Sequence, residues 1–247
     1  MIEPSGALAP IVACLPHAGV EYPTELTSEL TMSPDVLWSD WRTGELYDFL
    51  PELGITTITT AFSRFVADVN RDPDGEQHGS FWSSVVPACT PAGKPVYRRS
   101  LSPAEIRHRI RLAHEPFHQA LDTAIDRLLN VFPRILLLDL HSFGVPLDGD
   151  IIIGDRRGAS ARPAAVRSVA DAFARKGFTV LINKRFIGGW TIRRFAANDR
   201  VDAIQVELNQ RCYLDIDEHR YQSPQPAGAF QSTKRSLRSA LQDIARE

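Results

Sequence analysis

Residues 135–140, "ILLLDL", constrain the fold more than any other stretch of this chain. Five of the six are apolar, and the sixth is Asp139. A strand of that composition is buried on both faces, as strands of parallel sheets in α/β proteins are. Such a sheet requires helices on both sides. The run closes on His141, Ser142 and Gly144. A core strand that carries a carboxylate and an imidazole either satisfies them with buried hydrogen bonds or delivers them to a reactive site. Asp139 and His141 are two residues apart, so they share one strand face at a spacing of about 7 Å.

The surrounding sequence supplies the other elements. "IVACL" (11–15) is a predicted strand that runs into Pro16 and His17. Over 35–54, Val36, Leu37, Trp41, Leu46, Phe49, Leu50 and Leu53 recur at helical spacing, and Gly54 suits a C-terminal cap, so a helix is predicted. "ITTITTAFS" (55–63) is rich in β-branched residues and predicts a strand, and 64–70 a second short one. Residues 72–80 carry turn chemistry. Ser102, Pro103 and Glu105 form a capping-box pattern that starts a long helix to about Val131, which Pro116 should kink or divide. A short apolar segment at 150–155, a helix at 161–176, strands at 179–183 and 203–209, and a helical tail from Ser232 follow. The alternation predicts a three-layer α/β fold, with a mainly parallel or mixed central sheet flanked by helices. No linker divides the pattern, so one domain over 1–247 is expected.

Composition narrows the function classes. A net charge of −2 gives no basic excess for nucleic acid, and no basic amphipathic segment suits a membrane surface. The first residues lack a basic stretch followed by an apolar one, so no signal peptide or transmembrane span is expected. Cys14, Cys89 and Cys212 are sparse and contain no CxxC, which fits reduced thiols and a cytoplasmic setting. The expected partner is a small molecule.

In open α/β sheets, ligands bind beyond the carboxyl ends of the strands. That rule selects His17, Asn70, Arg71, His141 and Glu207 from separate segments. His17 and His141 are the best imidazole pair for a metal, and Glu21, Asp40 and Asp139 are carboxylates that could complete a set. Arg71 can clamp a carboxylate in two parallel hydrogen bonds, with Asn70 adding a donor; the alternative is a salt-bridged turn. Glu207 sits in an apolar strand, where a carboxylate is costly unless paired or functional. Beside a metal it would serve as general base toward water; otherwise it would pair with Arg211 or another arginine. His114 and His118 are four apart, but Pro116 lies between them and no HExxH is present, which favours a solvated or capping role. His78, His108 and His219 are expected at the surface. "KRFIGGWTIRR" (184–194) has paired glycines and four basic residues that could face an anion, but no phosphate-binding pattern. Ser142 has no GxSxG elbow around it.

These segments resemble the N-formylglutamate amidohydrolases. The likeness rests on "LPHAGVEYP" (15–23), "SDWRTGELYDF" (39–49), "SRFVADVNRDPD" (63–74), "PVYR" (95–98), "PFHQAL" (116–121), "LLLDLHSFG" (136–144), "IIIGDRRGAS" (151–160), "LINKRFIGGWTIRRF" (181–195) and "IQVELNQRCYLD" (204–215), in order across nearly the whole chain. That family is similar in fold to zinc carboxypeptidases. The resemblance implies one zinc ion, with His17 and His141 as ligands, and Asp40 as the third in preference to Glu21; position 20, where the carboxypeptidase pattern has Glu, is Val20. It implies Asn70 and Arg71 as a carboxylate clamp and Glu207 as general base. Arg98, Arg185 or Arg193 would take a second carboxylate or the oxyanion. Trp190, Ile192, Arg194 and Ala196 depart from the family's pattern, in a part that shapes the substrate pocket. The expected activity is zinc-dependent hydrolysis of an N-formyl or small N-acyl acidic amino acid. The alternatives are a deacylase or carboxypeptidase for another N-acyl amino acid or peptide, and a non-catalytic binding protein.

Overall fold

Residues 135–140 lie at the heart of a six-stranded mixed sheet, as their apolar run requires. The structure, a computed structural model, describes residues 1–34, 38–216 and 224–246. The strands are β1 (Ile11–Leu15), β2 (Thr56–Thr59), β3 (Ile135–Phe143), β4 (Ile151–Gly154), β5 (Val180–Ile182) and β6 (Val201–Asn209). Their order is β2-β1-β3-β6-β4-β5. The pairs β1–β2, β1–β3, β3–β6 and β4–β5 are parallel, and β4 runs antiparallel to β6. β3 and β6 pair along their full length, from Ile135 opposite Val201 to Phe143 opposite Asn209.

Strand alternation sorts the side chains onto two helical layers. On one face, Leu138, Leu140, Ile204, Val206 and Leu208 pack against Val166 and Phe173 of the helix Pro163–Ala174 and Leu237 and Leu241 of the helix Phe230–Arg246. On the other, Ile135, Leu137, Val201 and Ala203 pack against Phe117, Leu121, Ile125 and Leu128 of the helix Glu115–Leu129. The next residues on that second face are Asp139, His141, Gln205 and Glu207. The helix covers the first half of the face, and the second half is polar. Unpaired, each such buried group would cost about 1–3 kcal/mol, so this half of the sheet must carry its own polar partners.

Two sequence expectations are corrected. Residues 35–54 do not form one helix. Asp35, Val36 and Leu37 lie outside the described residues; 38–40 are irregular, and short helices follow at Thr43–Leu46 and Leu50–Leu53. Arg42 adopts a left-handed conformation, φ 59°, which a continuous right-handed helix cannot contain. Residues 64–70 are a buried loop and not a strand. A separate apolar cluster, with Phe65, Val66, Phe81, Val85, Val96 and Tyr97, holds that loop in place of sheet pairing. The helix from Ser102 is capped as expected, with Ser102 and Glu105 satisfying each other's backbone N–H. It divides at a π turn, Ile110–His114, before Glu115–Leu129 begins with Pro116 in its first turn. Among the described residues, no helix is long and apolar enough to cross a membrane.

Candidate active site

The polar half of the β3–β6 face forms the floor of a cavity of about 390 Å³. β1 delivers His17 just past its end, β3 delivers His141, and the irregular segment after residue 37 delivers Asp40. The His17 Nδ1 and His141 Nδ1 atoms are 3.1 Å apart. Asp40 Oδ2 lies 3.1 Å from His141 Nδ1 and 3.7 Å from His17 Nδ1. All three side chains are buried.

This donor set fits a cation. His17 Nε2 is 2.8 Å from Asp68 Oδ1, and His141 Nε2 is 3.1 Å from Asp139 Oδ1. A carboxylate can only accept, so each Nε2 carries a proton, and the neutral form of each ring would turn its Nδ1 lone pair to the centre. Carboxylate–histidine pairs of this kind orient metal-ligating imidazoles. Ligands about 2.0–2.2 Å from one tetrahedral zinc stand a little over 3 Å apart, the spacing found here. The buried His17–Asp40–His141 group could therefore hold a metal ion.

The charges are interdependent. Burial alone would raise the Asp40 carboxyl, but His17 and His141 overcome it and hold Asp40 below the ordinary carboxylate range. Burial would likewise raise Asp68, but Arg64, His17 and Arg71 hold it well below. Burial opposes a charge on His141, yet Asp139 and then Asp40 raise its pKa well above the ordinary histidine value. Without a metal, a proton on His141 Nδ1 sits where a cation would. Glu207 differs: burial, with repulsion from Asp40 and Asp139, pushes its carboxyl up to about 7. Gln205 fixes that group, donating from Nε2 to Glu207 Oε1 at 2.8 Å while its own oxygen accepts from Gly189 N at 2.7 Å.

Of the other residues singled out in the sequence, Asn70, Arg71 and Arg185 line the cavity. Asn70 is hydrogen-bonded at both ends of its amide: its Oδ1 accepts from Thr191 N at 2.9 Å, and its Nδ2 donates to Asp139 Oδ2 at 3.3 Å. Its amide is thereby tied to the backbone of Thr191 and to the carboxylate behind His141. Gly189 is required beside it, since a Cβ there would stand 2.6 Å from Asn70 Nδ2. Arg98 is exposed and donates to Ser28 O at 3.3 Å, and Arg193 is exposed and pairs with Asp72. Neither lines the cavity, which corrects their reading as substrate contacts. Glu21 is exposed, its backbone bridging to Phe62, and is absent from the buried cluster. Glu207 has Gln205 and not Arg211 as its hydrogen-bond partner. His108 is exposed and His78 half-buried on Val86 O; His219 lies outside the described residues.

Sequence reasoning missed Asp68, Arg64 and Gln205. Arg64 is buried, bonds Asp68 through Nη2, brings Nη1 to 3.5 Å from His17 Nδ1, and stacks 4.3 Å over the Phe81 ring. The argument applied to Glu207 would have found Asp68, a carboxylate inside the apolar run Phe65–Val66–Ala67 and Val69. Aromatic side chains of Trp38, Phe81, Trp82, Phe143 and Phe186 complete the walls.

Comparison with known proteins agrees with this architecture. A crystal structure of N-formylglutamate amidohydrolase from Ralstonia eutropha superposes with a TM-score of 0.83 at 26% identity, over 99% of this chain and 95% of that one. A gene product of Agrobacterium tumefaciens shares the fold, with a TM-score of 0.71 at 20% identity over 97% and 90%. The fold and its buried cluster thus define an α/β amidohydrolase. N-formylglutamate deformylase of Pseudomonas aeruginosa is 33% identical over 220 residues, 83% of this chain and 82% of the relative, and that of Pseudomonas putida is 31% identical over 225 residues, 85% and 83%. A family model described as N-formylglutamate amidohydrolase matches residues 9–214, and the chain belongs to that family.

Proposed function

We propose that this chain hydrolyses N-formyl-L-glutamate to formate and L-glutamate, with one zinc ion held by His17, Asp40 and His141. The observation that carries the reading is the convergence of three buried ligand atoms within 3.7 Å of one another, beside the buried Glu207 in a cavity that also holds arginines. Zinc bound there supplies Lewis acidity toward the formyl carbonyl and lowers the pKa of water. Glu207 takes a proton from the attacking water and passes it to the glutamate nitrogen as the C–N bond breaks. A carboxyl pKa of about 7 suits both halves of that transfer near neutral pH. Asp68 and Asp139 hold the two imidazoles in one tautomer. Arg71 and Arg185 meet the two substrate carboxylates, and Arg71 is the more buried of the two.

Arg64 completes the site. Its Nη1 stands 3.5 Å from His17 Nδ1, so its guanidinium would stabilise the negative charge that the formyl oxygen gains as water adds. Arg64→Ala is expected to lower kcat by about 10²–10³-fold, as loss of an oxyanion donor does, with zinc retained and part of the rate restored by added guanidinium. Steady-state kinetics with and without guanidinium check this; a variant within threefold of wild type would remove Arg64 from the reaction.

The reading itself is tested by metal analysis of the purified protein, followed by hydrolysis assays on N-formyl-, N-acetyl- and N-succinyl-glutamate and -aspartate. Stoichiometric zinc and preferential turnover of N-formylglutamate are expected. A preference for another acyl group would move the reading to a different deacylase. Absence of metal, with no turnover after zinc is supplied, would overturn it.

A further inference from the structure

The histidines of "HEPFH" are not at the surface. His114 and His118 are both buried, and their rings stack 4.5 Å apart, the contact that i, i+4 spacing permits on one helical face. Trp190 closes the group, with its ring 5.3 Å from His114 and 4.5 Å from His118. His118 Nε2 is 2.7 Å from Val69 O, and His114 Nε2 is 2.9 Å from Arg71 O. A carbonyl only accepts, so both Nε2 atoms carry protons and donate. That use removes both Nε2 atoms from any metal.

These two contacts matter because of what they hold. The loop 64–71 has no sheet partner, so its buried backbone groups must be satisfied one by one. Asp68 N donates to Val85 O at 2.6 Å, and Asn70 N to Asp68 Oδ1 at 2.9 Å. The three consecutive carbonyls at the end of the loop are each held by a side chain. Val69 O is taken by His118, Asn70 O by Arg71 Nη1 at 3.1 Å, and Arg71 O by His114. The Val69–Asn70 and Arg71–Asp72 peptide planes, one before and one after the Asn70–Arg71 peptide, are therefore set from outside the loop, by helical residues that contribute nothing to the cavity lining. Burial, reinforced by the neighbouring His114, lowers His118 to about 3, and burial also lowers His114. Both rings stay neutral donors where the enzyme would work. The π turn Ile110–His114 ends on His114 itself, and Pro116, which has no N–H to lose, lies between the two rings in sequence.

We infer that His114 and His118 are positioning residues for the substrate clamp, fixing the aim of Arg71 by holding the Val69 and Arg71 carbonyls. This rests on the reading of Arg71 as a carboxylate clamp. The two histidines act through the backbone of the loop and touch neither substrate nor metal.

The test compares His118→Leu, His118→Gln, His114→Leu and His114→Gln, each alone and combined with Arg71→Ala. The main readout is calorimetric affinity of the metal-free protein for N-formyl-L-glutamate; KM and kcat of the zinc-loaded protein are measured beside it. Leucine removes the donor, whereas glutamine can place an N–H near the same point. Each leucine variant is expected to weaken binding about tenfold, the scale of one lost buried hydrogen bond, and to raise KM more than it lowers kcat. Each glutamine variant is expected to recover most of that loss. In the Arg71→Ala background the leucine substitutions are expected to cost nothing further, because residues acting through one group are not additive. Leucine variants that bind within twofold of wild type would overturn the inference, as would equal losses with and without Arg71 or glutamine variants as weak as the leucine ones. If Arg71→Ala alone binds like wild type, the clamp reading fails at its own step. Nitrogen NMR of the wild-type histidines supplies a check that no variant's folding can disturb: both must be Nε2–H tautomers, and an Nδ1–H tautomer at either would overturn the inference.

Discussion

Glu207→Gln is expected to keep zinc bound while lowering kcat by about 10²–10⁴-fold, the range that general acid–base groups contribute. Glutamine preserves shape and can still accept from Gln205 Nε2, which now lies 2.8 Å from Glu207 Oε1. What it loses is the ability to carry a proton. The same substitution should stabilise the metal-free protein, with a definite pH dependence. Glu207 has a folded pKa of about 7 against an ordinary 4.5. Below 4.5 the group is protonated folded or unfolded, and it costs nothing extra. Between 4.5 and 7 the folded chain keeps a proton that the unfolded chain releases, so the stability contribution of Glu207 falls as pH rises. Above 7 the cost of the buried charge is complete, at most about 3 kcal/mol. Metal-free Glu207→Gln should therefore unfold at higher urea than metal-free wild type at pH 8, and at nearly the same urea at pH 4.5. Urea titrations at the two pH values, with kcat and zinc content on the same preparations, decide it. A near-wild-type kcat would remove Glu207 from the chemistry.

Asp40→Asn is expected to weaken zinc binding by more than the ten- to hundredfold typical of losing a residue behind a ligand. The amide keeps the size of the carboxylate but not its charge, and Asp40 is the anion among the three convergent side chains. Its oxygen also accepts from Ser142 N at 3.0 Å, so the substitution leaves a local acceptor in place. Activity should fall in step with zinc occupancy and return in excess zinc. Because metal binds the folded chain, wild type should lose thermal stability on chelation far more than Asp40→Asn does. Glu21→Gln should change neither quantity, since Glu21 is exposed and outside the cluster. Chelator-competition titrations separate the two carboxylates. Unchanged zinc affinity in Asp40→Asn would exclude it as a ligand.

Much of this site was legible in the sequence because the residues are chemically conspicuous where they stand. His17 follows an apolar strand, His141 closes another, and Glu207 interrupts a third, so burial of polar groups marks each one. Their placement at strand ends follows from the general geometry of open α/β sheets. Arg64 was not legible. Nothing in "SRFVADVN" distinguishes an arginine that bonds Asp68 from one that faces solvent, because that choice depends on Phe81 and on the satellite core beneath the loop. His114 and His118 were misread for a related reason. Their spacing is local, but the carbonyls they hold belong to residues 69 and 71.

Pattern and period by themselves determined the layered fold, the strands that carry the site, and the side on which it opens, since each follows from where apolar residues recur along the chain. Only the tertiary structure showed the rest: that Asp40 lies in the buried cluster while Glu21 is exposed outside it, that the Asn70 amide is bonded to Thr191 and Asp139, and that Arg98 and Arg193 stand away from the cavity. Those outcomes depend on separations of a few ångströms between residues tens of positions apart, and such distances are set by how loops pack over the sheet.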